Sequence, residues 1–346
     1  MHLRPSLTSV AAAAALRIAT MLGALAPGGA SAETELRLHT FVPPGHIIYT
    51  QIIEPLAAQI EEETGGEVTM TLYPSMQLGG KAPDLIRQAR EGTVDMVFSL
   101  PGYTSPQFPR TQMIELPGLR ADGTATTALM WDLLEDGYFD PEYDGLKVIA
   151  LWASDDAGIL TSQTPVRSLD DIAGLLLRTP SAGQANQIEQ MGGTPVAIPM
   201  PQVYQQLERS VIDGALVPFT TILDFRLHEV ANHFTVTGPL FGRSQFAIVM
   251  NEESYNGLAP EHQAVIDRLT GEGLSQKATQ TYLDRAAEAT QFVRDADDKD
   301  VIEVSAAEQD RIRQVLAPIY EQWMKAMAEQ GIDGAAMLSA AGITMN

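Results

Sequence analysis

A single arginine, Arg178, stands at the end of the apolar run Leu175-Leu176-Leu177 and is followed at once by Thr179-Pro180. A guanidinium is always charged, and its planar fork of donors matches a carboxylate with two parallel hydrogen bonds. In α/β sheets ligands gather beyond the carboxyl ends of the strands. Thr-Pro ends a strand there and fixes the backbone that aims the side chain. The chemistry on offer is capture of an organic anion. On residue types alone, a structural ion pair with Asp170 or Asp171 competes with it. Aromatic residues fall at other expected strand ends and loops: Phe41 and His46 after the first strand, Tyr103 after "DMVFSLP", then Trp152 and Phe219. With Val217 of "DGALVP" they would form an apolar, stacking wall with few polar contacts, as small-molecule pockets usually have.

Catalytic or metal chemistry has little support in the chain. There are no cysteines, which removes disulfides, thiolate metal sites and a cysteine nucleophile together. In "HEVANH" the two histidines, His228 and His233, are five apart, whereas a zinc pair on one helical face needs four. The acidic "DADDKDVIEVSAAE" lacks the glycine and glutamate of a calcium loop. No nucleophile elbow, phosphate loop or dinucleotide fingerprint occurs. Neither a cofactor nor a metal is expected.

The elements that must position these residues alternate in type. "ELRLHT" reads as a strand that Pro43-Pro44-Gly45 closes, and Ile48, Ile52, Leu56 and Ile60 mark an amphipathic helix, bent at Pro55 and stopped by Gly65-Gly66. "EVTMTLYP" is the next strand, and "APDLIRQAREGTVDMVFSL" passes from helix to strand. The rhythm restarts near residue 146 with "GLKVIALWAS", "GILTSQ", a capped helix start at Ser168 and "LLLRTP". "MPQVYQQLERSVIDGALVP" repeats the helix-to-strand passage, "QFAIVMN" is a late strand, and the chain beyond about residue 260 is almost wholly helical. This alternation predicts α/β units with a largely parallel sheet. The length suits two lobes, and the lack of a flexible linker predicts more than one crossing between them.

Residues 1–32 have a basic start, an apolar stretch rich in Ala and Leu, and a terminal Ala-Ser-Ala, the pattern of a secretory signal peptide cleaved after Ala32. Export to the periplasm is therefore expected, with no membrane insertion once the peptide is removed. Without Arg4 and Arg17, 20 basic residues face 44 acidic ones, a net charge of −24. Such a surface repels nucleic acid and anionic lipid.

Several stretches, taken in order, carry a family resemblance. "LYPSMQLGGKAPDLIRQAREGTVDM" and "SLDDIAGLLLRTPSAGQANQIEQMGGTPVAIPMPQVYQQLERSVIDG" resemble hallmarks of the substrate-binding proteins of tripartite ATP-independent periplasmic (TRAP) transporters, the dicarboxylate-binding-protein-like family. "HEVANHFTVT" and "VMNEESYNGLAPEHQAVID" continue the likeness, which spans residues 33–346. The resemblance implies a two-lobed periplasmic-binding-protein (Venus-flytrap) fold with crossing strands and a long bridging helix. One lobe would comprise residues 33–155 plus about 244–283, the other 156–243 plus about 284–312, with C-terminal helices from about 313 to 346 packed on both. It further implies one small organic acid in the cleft, its carboxylate held by the arginine at position 178, delivery to the TRAP membrane permease, and no enzymatic activity. Two departures narrow the ligand. Many relatives read Asp-Gly-Gln-Glu-Asn-Pro where this chain reads "DGALVP", so Leu216 and Val217 cannot supply the Glu-Trp pair with which the keto-acid branch holds a metal. The second arginine of the sialic-acid branch aligns near Gly158. One arginine facing an apolar wall predicts a monocarboxylate with an apolar or aromatic body. The alternatives are a C4-dicarboxylate or sugar acid, or a periplasmic enzyme.

Overall fold

The computed structural model describes residues 33–343, so the signal-peptide reading lies outside the described residues. Along the chain run strands β1 (Thr34–Thr40), β2 (Val68–Tyr73), β3 (Met96–Ser99), β4 (Leu146–Ala153), β5 (Ala157–Thr161) and β6 (Leu176–Thr179). They are followed by β7 (Thr194–Ala197), β8 (Gly214–Pro218), β9 (His233–Val236), β10 (Gln245–Asn251) and β11 (Asp300–Glu303). They build two sheets, one in the order β2-β1-β3-β10-β4 and one in the order β11-β9-β5-β8-β6-β7. The fold is thus mixed α/β with two lobes.

The parallel expectation holds only in part. The pairs β1–β2, β1–β3, β6–β7, β6–β8 and β9–β11 are parallel, but β10 runs antiparallel to both β3 and β4, and β5 antiparallel to both β8 and β9. The reversed strands are those at which the chain changes sheet. It leaves the first sheet through Ser154–Asp156, between β4 and β5, and returns between β9 and β10. A strand arriving from the other sheet is not constrained by a helical crossover to run parallel. Their sequences fit central positions: all seven residues of β10 are buried, as a strand covered on both faces requires.

A third connection is the helix Glu272–Arg294, 23 residues or about 34 Å at 1.5 Å per residue. Its first half packs on the first sheet, where the Ser275 hydroxyl accepts from Leu151 N–H at 2.9 Å. Its far end meets the second, where Arg294 pairs with Glu303 of β11. The early amphipathic helix differs from expectation. Pro55 lies in the first turn of a regular helix, Glu54–Glu63, rather than mid-way along it, and the turn ahead of it, Tyr49–Ile53, is wound wider. A proline lacks the N–H that would close a regular turn in the helix interior, so it is tolerated at a helical start.

Candidate ligand-binding site

The carboxyl ends of β1, β3, β6 and β8 and the start of β10 converge on a cavity of about 400 Å³ that is partly open to solvent. Loops after β1 and β3 supply Phe41, His46, Leu100 and Tyr103, and β6 with the segment after β7 supplies Arg178, Pro180 and Met200. The end of β8 gives Pro218, Thr220 and Thr221, the chain beyond it Phe225, β10 with its lead-in Ser244 and Phe246, and the long helix Tyr282.

Arg178 is 1 % exposed. Its Nε donates to the Ile198 carbonyl at 2.7 Å and its Nη1 to the Leu216 carbonyl at 3.3 Å. Among the described residues no carboxylate lies within 4.0 Å of it. The competing ion pair does not form: Asp170 takes Arg311, and Asp171 accepts from the backbone N–H groups of Arg167 and Ser168. Burial pulls the Arg178 pKa down, with Tyr103 beside it acting the other way. The phenol of Tyr103, pushed up by burial, accepts from Met200 N–H at 3.0 Å and so ties a loop of the first sheet to a helix of the second. A buried guanidinium held by two backbone carbonyls with a phenol beside it has donors left over and charge that no protein carboxylate neutralises.

Ring contacts run from this cation around the cavity. Tyr103 meets Phe41 edge-on at 5.7 Å, and Phe41 stacks on Phe98 at 5.6 Å. Phe98, Trp152 and Phe246 stack in turn at 5.3 and 5.8 Å. Phe246 meets Tyr282 edge-on at 5.1 Å, and Tyr282 reaches His46 at 6.2 Å. Such arrangements suit the quadrupoles of the rings.

Of the residues the sequence singled out, Arg178, Tyr103, Phe41 and His46 meet at this cavity, whereas Trp152, Phe219 and Val217 do not line it. Trp152 is fully buried one layer behind the wall, between Phe98 and Phe246. Val217 is packed inside β8. Phe219 stands in the turn that follows β8 and lines a separate cavity with Asp155 and Gly158. Sequence reading missed Phe225, Phe246 and Tyr282. A Cβ placed on Gly158 would lie 2.3 Å from the Phe219 ring, so the position aligned with a second arginine has no room for any side chain. Leu216 contributes only its backbone carbonyl, to Arg178.

Asp155, in the crossing between the lobes, holds the end of β8 in place. Its Oδ2 accepts from Phe219 N–H at 2.6 Å and from Thr220 N–H at 3.3 Å. Burial nevertheless pushes its pKa up to about 7. The Thr220 hydroxyl reaches both Asp155 Oδ1 and the Tyr282 carbonyl, yet has one hydrogen to give. A protonated Asp155 resolves this by donating to Thr220 Oγ1, which then donates to Tyr282.

Comparison with known proteins agrees with this geometry. The family model for bacterial extracellular solute-binding proteins of family 7 matches residues 38–326. The chain belongs to this family, the substrate-binding proteins of TRAP transporters. It is 24 % identical over 301 residues, 86 % of this chain and 91 % of the relative, to the sialic acid-binding periplasmic protein SiaP of Vibrio cholerae. Among solved structures it resembles a marine-metagenome TRAP solute-binding protein specific for aromatic acid ligands, from an unidentified microbe, in complex with 3-hydroxybenzoate. The TM-score is 0.85 at 30 % identity, covering 89 % of this chain and 97 % of that one. A TRAP solute-binding protein of Rhodoferax ferrireducens, which copurified with benzoate, gives a TM-score of 0.85 at 26 % identity over 89 % and 96 % of the chains. Members of family 7 are solute receptors, and the described arrangement of one buried cation in a ring-lined cavity is a receptor's chemistry.

Proposed function

We propose that this chain is the periplasmic receptor for an aromatic monocarboxylate, which it delivers to a TRAP membrane permease. The single observation that carries the reading is Arg178: fully buried, without a protein carboxylate, and facing a cavity walled by Phe41, Tyr103, Phe225, Phe246 and Tyr282. A ligand carboxylate would complete the guanidinium with two parallel hydrogen bonds, while the rings bury its aromatic body. A dicarboxylate or sugar acid fits less well, because its further polar groups would meet mainly rings and lose hydration without replacement. The lobes would open at the crossings and close on the ligand by hinge bending, with Tyr103 and Met200 meeting on closure. Two relatives at similar structural distance bind aromatic acids, which supports the same class here. SiaP, a sugar-acid binder by name, is the more distant in sequence.

The test is a thermal-shift screen of residues 33–346 against aromatic monocarboxylates, aliphatic monocarboxylates and keto acids, dicarboxylates, and sugar acids. Ligand at about 100 times its dissociation constant adds about 2.7 kcal/mol, enough to raise the midpoint by several degrees. Stabilisation by the aromatic panel is expected. Stabilisation by dicarboxylates or sugar acids alone would overturn the proposal and leave the family standing.

A further inference from the structure

Tyr103 carries a hydrogen that its place in the wall of rings does not use, and the role proposed for it rests on the aromatic-acid reading. It lines the cavity from the loop after β3, in the first lobe, whereas Arg178 reaches the cavity from β6, in the second. A phenol oxygen has one hydrogen to give and two lone pairs to receive. Met200 N–H donates to Tyr103 Oη at 3.0 Å and takes one lone pair. The Arg178 guanidinium beside the phenol has only N–H groups, so any bond between them also runs toward Oη. Both neighbours are donors, and among the described residues no acceptor takes the Tyr103 hydrogen. Burial raises the Tyr103 pKa, which keeps that hydrogen on the oxygen at neutral pH.

The same holds on the other side of the seam. Arg178 gives one hydrogen from Nε and one from Nη1 to backbone carbonyls, and no protein carboxylate receives the others. The closed lobes therefore bring donors from both sides together with nothing between them to accept. Buried donors left unmet are costly. A group that serves both lobes must accept several hydrogen bonds at once. A carboxylate has two oxygens with about four lone-pair sites between them, enough for the guanidinium fork and the phenol together. An ester or amide has one carbonyl oxygen and no charge to set against Arg178.

We propose that Tyr103 donates its O–H to the same carboxylate that Arg178 holds, so that the ligand's anion clasps the first lobe to the second. Arg178 supplies the charge and Tyr103 the contact from across the cleft. With the anion in place, the leftover donors of both lobes have an acceptor. Without it, the closed form leaves them facing one another, and the empty receptor is held back from closing. Closure is thereby made conditional on a free carboxylate, and the permease is not offered an empty closed receptor. The rings of Phe41, Phe246 and Tyr282 then choose among acids by their bodies.

Tyr103→Phe alone does not separate the two uses of the hydroxyl, because it removes the acceptor for Met200 N–H along with the donor. Tyr103→3-fluorotyrosine separates them, since the fluorine makes the O–H a stronger donor and the oxygen a weaker acceptor. Titration calorimetry with benzoate at neutral pH compares both variants with the unaltered protein. Tyr103→3-fluorophenylalanine, set against Tyr103→Phe, corrects for the bulk of the fluorine. Binding should weaken about fivefold in Tyr103→Phe and, after that correction, tighten about twofold in Tyr103→3-fluorotyrosine. Unchanged or weaker binding in the fluorotyrosine variant would show that the phenol only accepts from Met200, refuting the clasp while the aromatic-acid reading stands. If the unaltered protein binds no aromatic monocarboxylate, the aromatic-acid reading falls and the clasp with it.

Discussion

Two arginines of this chain are equally buried and chemically identical, yet their surroundings differ. Arg243, 3 % exposed, lies in the return crossing before β10. Its Nη1 donates to the Arg120 carbonyl at 2.9 Å and the Thr126 hydroxyl at 3.3 Å, its Nη2 to the Ala121 carbonyl at 3.0 Å, and it pairs with Asp156. Arg178 has two backbone carbonyls and no carboxylate. A buried cation is stable only when paired and hydrogen-bonded. Arg243 has that partner within the protein and clamps the crossing. Arg178 lacks it, and in the function proposed above the missing partner is the ligand's carboxylate. The two differ in whether the protein itself supplies a carboxylate: Arg243 has Asp156, although its Nε is left without a partner, and Arg178 has none.

The largest effect that would sharpen this contrast is on stability at the clamp. Arg243→Met leaves Asp156 and two carbonyls without their donor and should cost about 3 kcal/mol of unfolding free energy, a discount for the part-exposed partner included. Chemical denaturation measures it; a loss under 1 kcal/mol would erase the distinction. Next, Arg178→Lys keeps the charge but not the planar fork, and should lose about 2 kcal/mol of binding to the aromatic acid identified by the screen, with an unaltered unfolding midpoint.

The crossing also makes a prediction in pH. Burial raises Asp155 to about 7, and does the same to Glu115, a buried carboxyl outside the crossing whose Oε2 accepts from the Ser181 hydroxyl at 2.6 Å, both above their unfolded values near 4. Folding therefore favours their protonated forms, and their contribution is complete below about pH 4 and lost as pH rises through 7. His46, lowered to about 4, works in the opposite sense below pH 6.5, because the unfolded ring gains a proton there first. Stability should therefore fall between pH 6.5 and 8, by about 1 kcal/mol for each carboxyl. Asp155→Asn should flatten that slope, and an unchanged slope would refute the assignment. The smallest effect is Tyr103→Phe, which removes the acceptor for Met200 N–H and should weaken ligand binding by about 1 kcal/mol or less, measured by titration.

Much of this arrangement was legible in the sequence because it is local. Strand-to-helix alternation, the Ser168–Asp171 cap and the Arg178-Thr-Pro strand end are each written within a few residues. Tyr103, Phe41 and His46 follow strand ends and are legible for the same reason. Phe246 and Tyr282 are not, since "QFAIVMN" reads only as a buried strand and Tyr282 only as a helical core position. The reversal of β10 and the span of the long helix bring them to the cavity, and neither is encoded nearby. Trp152, Phe219 and Val217 are apolar residues close to the same strand ends, and only layer depth, strand alternation at Val217 and the turn after β8 at Phe219 separate them from the wall.

The most direct test of Arg178 as the carboxylate anchor is titration of an aromatic monocarboxylate, benzoate to begin with, into the unaltered protein and into Arg178→Ala, with an unfolding curve for each. The expected result is a folded variant whose affinity has dropped by about 2–5 kcal/mol, the range for truncating one partner of a desolvated charge pair. Unchanged affinity in a folded Arg178→Ala would contradict that role, and would leave the buried arginine without the carboxylate it is proposed to hold.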